Sequence, residues 1–162
     1  MNSIIFEAAY AEALKAFQAD EVPVGAVVFD PETHKIIATA HNQTATLRDP
    51  TAHAECLAIR SACQKQNVKR LDGMALFVTL EPCAMCAGAI AWAHIDTLYY
   101  GASDIKSGAI EQGACVFSHT QTHHKPTIIG GIEADKCAAL LTDFFQQKRQ
   151  YQKERKMKHV HS

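Results

Sequence analysis

The sequence lacks three features that would exclude an ordinary globular domain. No apolar run reaches the roughly 18 residues that a membrane-spanning helix needs. The N-terminus has no basic leader followed by a long apolar stretch and a cleavage site, so no secretory signal is visible and we expect a cytoplasmic protein with no membrane partner. Neither internal repeats nor a long linker divide the 162 residues, a length typical of one domain.

An excess of charge of one sign is also lacking, which excludes an indiscriminate polyanion binder. The chain has 16 Lys and Arg against 17 Asp and Glu, a formal net charge of −1. The distribution is uneven, because the segment from Lys148 onwards has six basic residues and one acid. We therefore predict a domain over residues 1–150 and a basic tail over residues 151–162, which either binds a partner or is a solvated helix end.

Hydrophobic periodicity predicts the elements of the domain. Apolar residues at helical spacing predict helices over residues 4–19, 51–64, 82–93 and from Glu133 onwards. β-Branched and apolar runs predict strands over residues 24–29, 35–40, 74–80, 97–101 and 127–131. A hairpin followed by alternating strands and helices favours a three-layer α/β/α fold with a central mixed five-stranded sheet.

Residues next to prolines mark where two of these helices begin. Thr51 follows Pro50 and is predicted to cap the second helix, while Pro82 is predicted in the first turn of the third. The final helix is predicted to bury one apolar stripe, made of Cys137, Leu140, Leu141, Phe144 and Phe145.

The six cysteines are expected to be thiols or metal ligands, because disulfides are rare in the cytoplasm. Two short motifs carry the chemistry, His53-Ala54-Glu55 and Pro82-Cys83-Ala84-Met85-Cys86. In a chain of this composition His-x-Glu is expected about 0.5 times by chance, but Pro-Cys-x-x-Cys less than roughly 0.01 times. Each motif also falls at a predicted helix N-terminus.

These motifs predict one zinc ion per chain. Cys83 and Cys86 are three residues apart on one helical face, and the helix N-terminus favours their thiolate forms. With His53 as third ligand, the fourth position of a tetrahedral Zn²⁺ is left to a water of pKa roughly 7. Glu55 can then carry that water's proton. The alternative is a closed structural site with Cys56 as fourth ligand, which gives Glu55 no role.

The two motifs resemble the zinc-dependent cytidine-deaminase-like superfamily, for which they are a known signature. Longer segments are similar to bacterial tRNA adenosine deaminases, and the similarity runs from Glu21 to the final helix. The matching segments are Asp49-Pro50-Thr51-Ala52-His53-Ala54-Glu55, Thr79-Leu80-Glu81-Pro82-Cys83-Ala84-Met85-Cys86-Ala87-Gly88-Ala89, Tyr100-Gly101-Ala102-Ser103-Asp104-Ile105-Lys106-Ser107-Gly108 and Cys137-Ala138-Ala139-Leu140-Leu141-Thr142-Asp143-Phe144-Phe145.

The resemblance implies hydrolytic deamination of the wobble adenosine, position 34, in the anticodon of an arginine tRNA, with inosine as product. It implies zinc binding by His53, Cys83 and Cys86, proton transfer by Glu55, and a homodimer. The substrate contacts it implies are Asn42, the backbone around Ala54, Asp104, Lys106, Phe145 and Arg149.

The residues are also compatible with other functions. A free-nucleobase deaminase for guanine or cytosine would use the same zinc chemistry, and a catalytically idle RNA-binding subunit would keep the fold but lose Glu55. Phe145 can either stack on a base or pack in the core. The loop over residues 30–35 is longer than the usual turn of the family, and residues 111–126 do not align with it.

Overall fold

A computed structural model describes residues 1–160 of the chain. Within these residues it contains the helices α1 (Ser3–Gln18), α2 (Ala54–Gln66), α3 (Ala84–Trp92) and α4 (Ala134–Val160). The strands are β1 (Gly25–Phe29), β2 (Ile36–His41), β3 (Ala75–Leu80), β4 (Thr97–Ala102) and β5 (Thr127–Ile129). A single turn of 3-10 helix, Val116–Ser118, interrupts the connection between β4 and β5.

The five strands form one mixed sheet in the order β2-β1-β3-β4-β5. β1 runs antiparallel to both β2 and β3, whereas β3, β4 and β5 are parallel. The hairpin and the mixed five-stranded sheet predicted from the sequence are thus confirmed. The parallel connections pass through α3 and through the 3-10 segment, so the carboxyl ends of β3 and β4 meet at one edge.

Helices cover both faces of the sheet, which confirms the three-layer α/β/α fold. α1 and α4 pack on one face and α2 on the other, where α3 packs beside it. Side chains alternate along the strands, so Val28 and Leu76 belong to the core under α2 and α3. Val27 and Phe77 belong to the core under α1.

Two helices begin later than predicted. The cap of α2 is His53, not Thr51, and the cap of α3 is Cys83, with Pro82 outside the helix. The Thr51 hydroxyl donates instead to Asp49 Oδ1, 2.7 Å away, and closes a turn before the helix. Among the described residues, neither the His53 nor the Cys83 side chain forms a capping hydrogen bond. Both side chains are therefore available to a ligand.

The apolar stripe predicted for α4 is only partly correct. Cys137, Leu140 and Phe144 are buried, but Leu141 is half-buried and Phe145 is 43% exposed. The three buried residues follow the spacing i, i+3 and i+7. Phe145, which follows Phe144 directly, lies about 100° further around the helix. Phe145 therefore belongs to the surface.

The predicted basic tail is helical as far as the structure describes it. α4 continues without a break across residue 150 to Val160, and every side chain over residues 149–160 is exposed. Residues 161 and 162 of the predicted tail lie outside the described part. Within residues 1–160, each helix is too short or too polar to cross a membrane.

Candidate functional site

The N-termini of α2 and α3 meet at the carboxyl edge of β3 and bring three predicted metal ligands together. His53 Nδ1 lies 3.5 Å from Cys83 Sγ and 3.5 Å from Cys86 Sγ. One ligand atom from each of the three residues lies within 4.8 Å of the others. His53 and Cys83 occupy the cap positions, so their side chains project beyond the helix ends instead of along a helical face.

The donor set fits a zinc ion. Zn–N and Zn–S bonds of about 2.0 and 2.3 Å in a tetrahedron place nitrogen and sulfur about 3.5 Å apart, which matches the observed distances. Hydrogen bonding from Cys86 lowers the pKa of Cys83 to about 5 against the opposing effect of burial, and His53 contributes to the lowering. Cys83 is therefore a thiolate at neutral pH, the form that binds metal.

The closed four-ligand alternative is not formed. Cys56 Sγ lies 3.7 Å from Cys86 Sγ. Among residues 1–160, however, the group of mutually close ligand atoms consists of His53, Cys83 and Cys86 without Cys56. The three-ligand arrangement leaves one tetrahedral position for a fourth, exchangeable ligand.

Glu55 lies in the first turn of α2 and is 5% exposed. Burial raises the pKa of its carboxyl group to about 7. A group with a pKa near the ambient pH can both accept and release a proton, which is what general acid–base catalysis requires. On an ideal helix His53 and Glu55 would point in different directions, but His53 stands outside α2 as its cap.

A cavity of about 220 Å³ opens beside these residues. Its lining consists of Val22, Val24, Asn42, Thr44, His53, Ala54, Glu55, Leu80, Glu81, Cys83, Asp104 and Ser107. Three of the predicted substrate contacts, Asn42, Ala54 and Asp104, thus line the same cavity as the candidate metal ligands His53 and Cys83. Asn42 is 7% exposed, and no side-chain hydrogen bond of its amide is formed within the described residues.

The other three predicted substrate contacts lie outside the cavity lining. Lys106 is exposed on the loop that carries Asp104. Phe145 and Arg149 are exposed on α4, where the Phe145 ring meets that of Phe144 edge-on at 5.4 Å. These three residues can contact only the parts of a ligand that extend beyond the cavity.

Sequence reasoning missed two buried glutamates that hold the walls of the cavity. Glu21 Oε1 accepts hydrogen bonds from the backbone amides of Ala45 and Thr46, at 2.7 and 2.9 Å. Glu81 binds the backbone of the loop after β4 in the same way. The available signal was an acidic residue one or two residues before a proline, Glu21-Val22-Pro23 and Glu81-Pro82.

Asp104 has a structural contact that the sequence did not indicate. Its Oδ1 accepts hydrogen bonds from the backbone amides of Lys106 and Ser107, at 3.1 and 3.0 Å. Such a turn orders the loop locally. The carboxylate of Asp104 therefore shapes the cavity wall in addition to lining it.

Several known proteins are similar to this chain. Residues 1–149 match the family model of the MafB19-like deaminases. The tRNA-specific adenosine deaminase of Agrobacterium fabrum is 48% identical over 144 residues, which cover 88% of this chain and 93% of the relative. A structure solved in a study of A-to-I editing by tRNA:A34 deaminases at the wobble position is 45% identical, with a TM-score of 0.83 over 86% of this chain and 99% of that one. A guanine deaminase from Nitrosomonas europaea is 25% identical, with a TM-score of 0.78 over 89% of this chain and 84% of that one.

Proposed function

This chain belongs to the family of tRNA-specific adenosine deaminases, and we propose that it hydrolyses the 6-amino group of the wobble adenosine, position 34, in a tRNA anticodon. The product would be inosine, and the resemblance seen in the sequence points to an arginine tRNA. One observation carries the proposal: Asn42 and Glu55 line the same cavity as His53 and Cys83. Its 220 Å³ is below the usual ~300–1,000 Å³ of drug-sized pockets and suits a single base.

His53, Cys83 and Cys86 would hold one zinc ion per chain. When bound, zinc supplies a Lewis acid that makes water a nucleophile near neutral pH. The same three residues leave the cavity side of the centre open. Ala54 and Glu55 follow His53 at the start of α2, where the first backbone amides of a helix lack intrahelical partners.

The buried carboxylate of Glu55 would move the protons. Water adds to C6 of the adenine, and Glu55 accepts the proton that this water loses. It passes this proton to the ring nitrogen, then takes the second proton from the hydroxyl now on C6 and passes it to the amine, so that the C6–N bond breaks, ammonia leaves and the base keeps the oxygen as a carbonyl. Asn42 would hydrogen-bond the purine edge, because its amide offers both a donor and an acceptor.

The exposed residues would bind the RNA around the extruded adenosine. Bases of a single-stranded loop stack on aromatic rings and their phosphates pair with cations. Phe145 and Arg149 are four residues apart on one face of α4, so a base and a neighbouring phosphate can be held together. Lys106 offers a second cation on the loop beside the cavity.

A homodimer in the cytoplasm completes the proposal. Met85, Gly88 and Trp92 share one face of α3, and Trp92 is 82% exposed. A tryptophan this exposed beside a glycine is unusual for a monomer surface, and interfaces are enriched in Trp and Met. The cytoplasm is the compartment in which both tRNA and reduced cysteines occur.

The decisive experiment compares substrates at equal enzyme concentration. We expect turnover of an anticodon stem-loop with adenosine at position 34, and none with the same loop carrying guanosine there. Free guanine, cytosine and adenosine serve as controls. Turnover of a free base without turnover of the stem-loop would replace this proposal with a nucleobase deaminase.

A further inference from the structure

The carboxylate of Glu81 ties down both ends of one loop. Glu81 follows β3 directly and is 2% exposed. Its Oε2 accepts a hydrogen bond from the Asp104 amide at 3.0 Å. Its Oε1 accepts hydrogen bonds from the amides of Ile110, Glu111 and Gln112 at 3.3, 2.8 and 3.1 Å. We call residues 104–112 the anchored loop.

The anchored loop packs against this carboxylate without room for a side chain. A Cβ atom on Gly108 would lie 2.6 Å from Glu81 Oε2 and 2.4 Å from the carbonyl oxygen of Asp104. The Gly108 amide donates to that same carbonyl at 2.9 Å. Glycine is therefore required here because the loop touches its anchor.

The opposite side of the anchored loop faces the cavity. Asp104 and Ser107 line it, and Ile105 between them is 85% exposed. Asp104 closes the turn through its own carboxylate, so the loop is ordered internally as well as at both ends. A loop held in this way can meet a ligand without first losing conformational entropy.

We propose that Glu81 is a positioning residue for substrate recognition, which keeps the anchored loop preformed to receive the nucleotides next to the target base. The proposal rests on the proposed function, since it takes an RNA loop as the ligand. Glu81 acts through Asp104, Ser107 and Ile105. Without the anchor, the loop loses conformational entropy when it binds the substrate. This entropic cost weakens substrate affinity more than it slows the chemical step.

The test is the variant E81Q. Its side-chain amide keeps one acceptor oxygen, but its NH2 group is a donor and cannot accept the hydrogen bonds that backbone amides donate to the second carboxylate oxygen of Glu81. We expect KM for the anticodon stem-loop to rise about tenfold, equivalent to 1.4 kcal/mol, with kcat within about threefold of wild type. Zinc content should stay at one per chain. E12Q is the matched control, because Glu12 is also a buried carboxylate but lies outside the cavity lining among the described residues.

Amide hydrogen exchange gives a readout that does not depend on the substrate. The amides of Asp104, Glu111 and Gln112 should exchange faster in E81Q than in E12Q or wild type. This measurement separates the two proposals, since it reports the anchor even if the stem-loop is not the substrate.

Three results would overturn the role of Glu81: an unchanged KM in E81Q, a fall in kcat alone, or loss of zinc. If E81Q does not fold, G108A provides the second test, since it displaces the anchored loop and leaves both the carboxylate and the metal ligands intact. G108A should then show the same rise in KM with its zinc retained, and a wild-type KM in G108A would refute the proposal.

Discussion

His53 Nδ1 and Cys83 Sγ lie 3.5 Å apart although thirty residues separate them in the chain. The two residues cap different helices, α2 and α3. Because the caps lie outside the helices, both side chains point into the space between the helix ends. This arrangement places a group of residues that could hold a metal ion directly beside the cavity.

Replacement of Glu55 by glutamine should abolish turnover and preserve the metal. The amide is similar in shape but cannot carry a proton, so kcat should fall by about 10²–10⁴-fold. Zinc measured by elemental analysis should remain at one per chain. E32Q, at an exposed turn, is the control and should be fully active. Substantial activity in E55Q would rule out the proton transfer assigned to Glu55.

The two neighbouring cysteines should differ in their effect on zinc. C86S should bind less than one zinc per chain, and a chelator should no longer lower its melting temperature, because the metal stabilises only a folded chain that can hold it. C56S should retain stoichiometric zinc even though the two sulfurs are 3.7 Å apart in the wild type. Loss of zinc in C56S would instead indicate a closed four-ligand site.

The cationic stripe of α4 should contribute to RNA affinity. Arg149, Lys153 and Lys156 are all exposed and share a helical face with Phe145. In the triple alanine variant the slope of log K against log salt should become shallower by about 0.7–0.9 for each phosphate that is no longer neutralised. K69A removes an exposed lysine elsewhere and serves as control. An unchanged slope would make the tail a solvated helix end.

The stability of the fold should depend on pH through Glu12. Burial acts to raise the pKa of this carboxyl, but hydrogen bonds with His41, Lys15 and Thr39 outweigh it and lower the pKa below its ordinary 4.5. A lowered folded pKa stabilises the fold above pH 4.5, and this stabilisation is lost as the pH falls through the folded value. E12Q should therefore lower the free energy of unfolding by about 1–3 kcal/mol at pH 7.

Denaturant titrations at two pH values measure the free energy of unfolding and so check this pH dependence. The difference between E12Q and wild type should shrink as the pH falls through the folded pKa of Glu12, which lies below 4.5, because Glu12 then becomes protonated in both states. K15A should have a smaller effect at pH 7, because the Lys15 side chain is 61% exposed and exposed ion pairs contribute little. A difference between E12Q and wild type that is equal at both pH values would contradict this account.

Local sequence patterns were sufficient for much of the fold. The β-branched run that forms β1 and the helical spacing of Phe6, Tyr10, Leu14 and Phe17 in α1 depend on neighbours only a few residues away, although Leu14 lies on the exposed side of the helix. The start of α2 lies after Thr51 because the Thr51 hydroxyl donates to Asp49 and closes a turn instead of capping the helix, a competition that periodicity does not resolve. Phe145 was ambiguous for a similar reason, since an apolar residue at the margin of a stripe can lie on either side of it.

The sequence by itself predicted the candidate ligand types and the candidate proton carrier, and determined the alternation that produces a mixed sheet, because these follow from residue chemistry and short spacings. Only the tertiary structure decided that His53 meets Cys83 and Cys86 without Cys56, and that Glu81 holds a loop more than twenty residues away. Such contacts depend on how the two helix layers pack on the sheet. Packing is a property of the whole chain, so no local pattern encodes it.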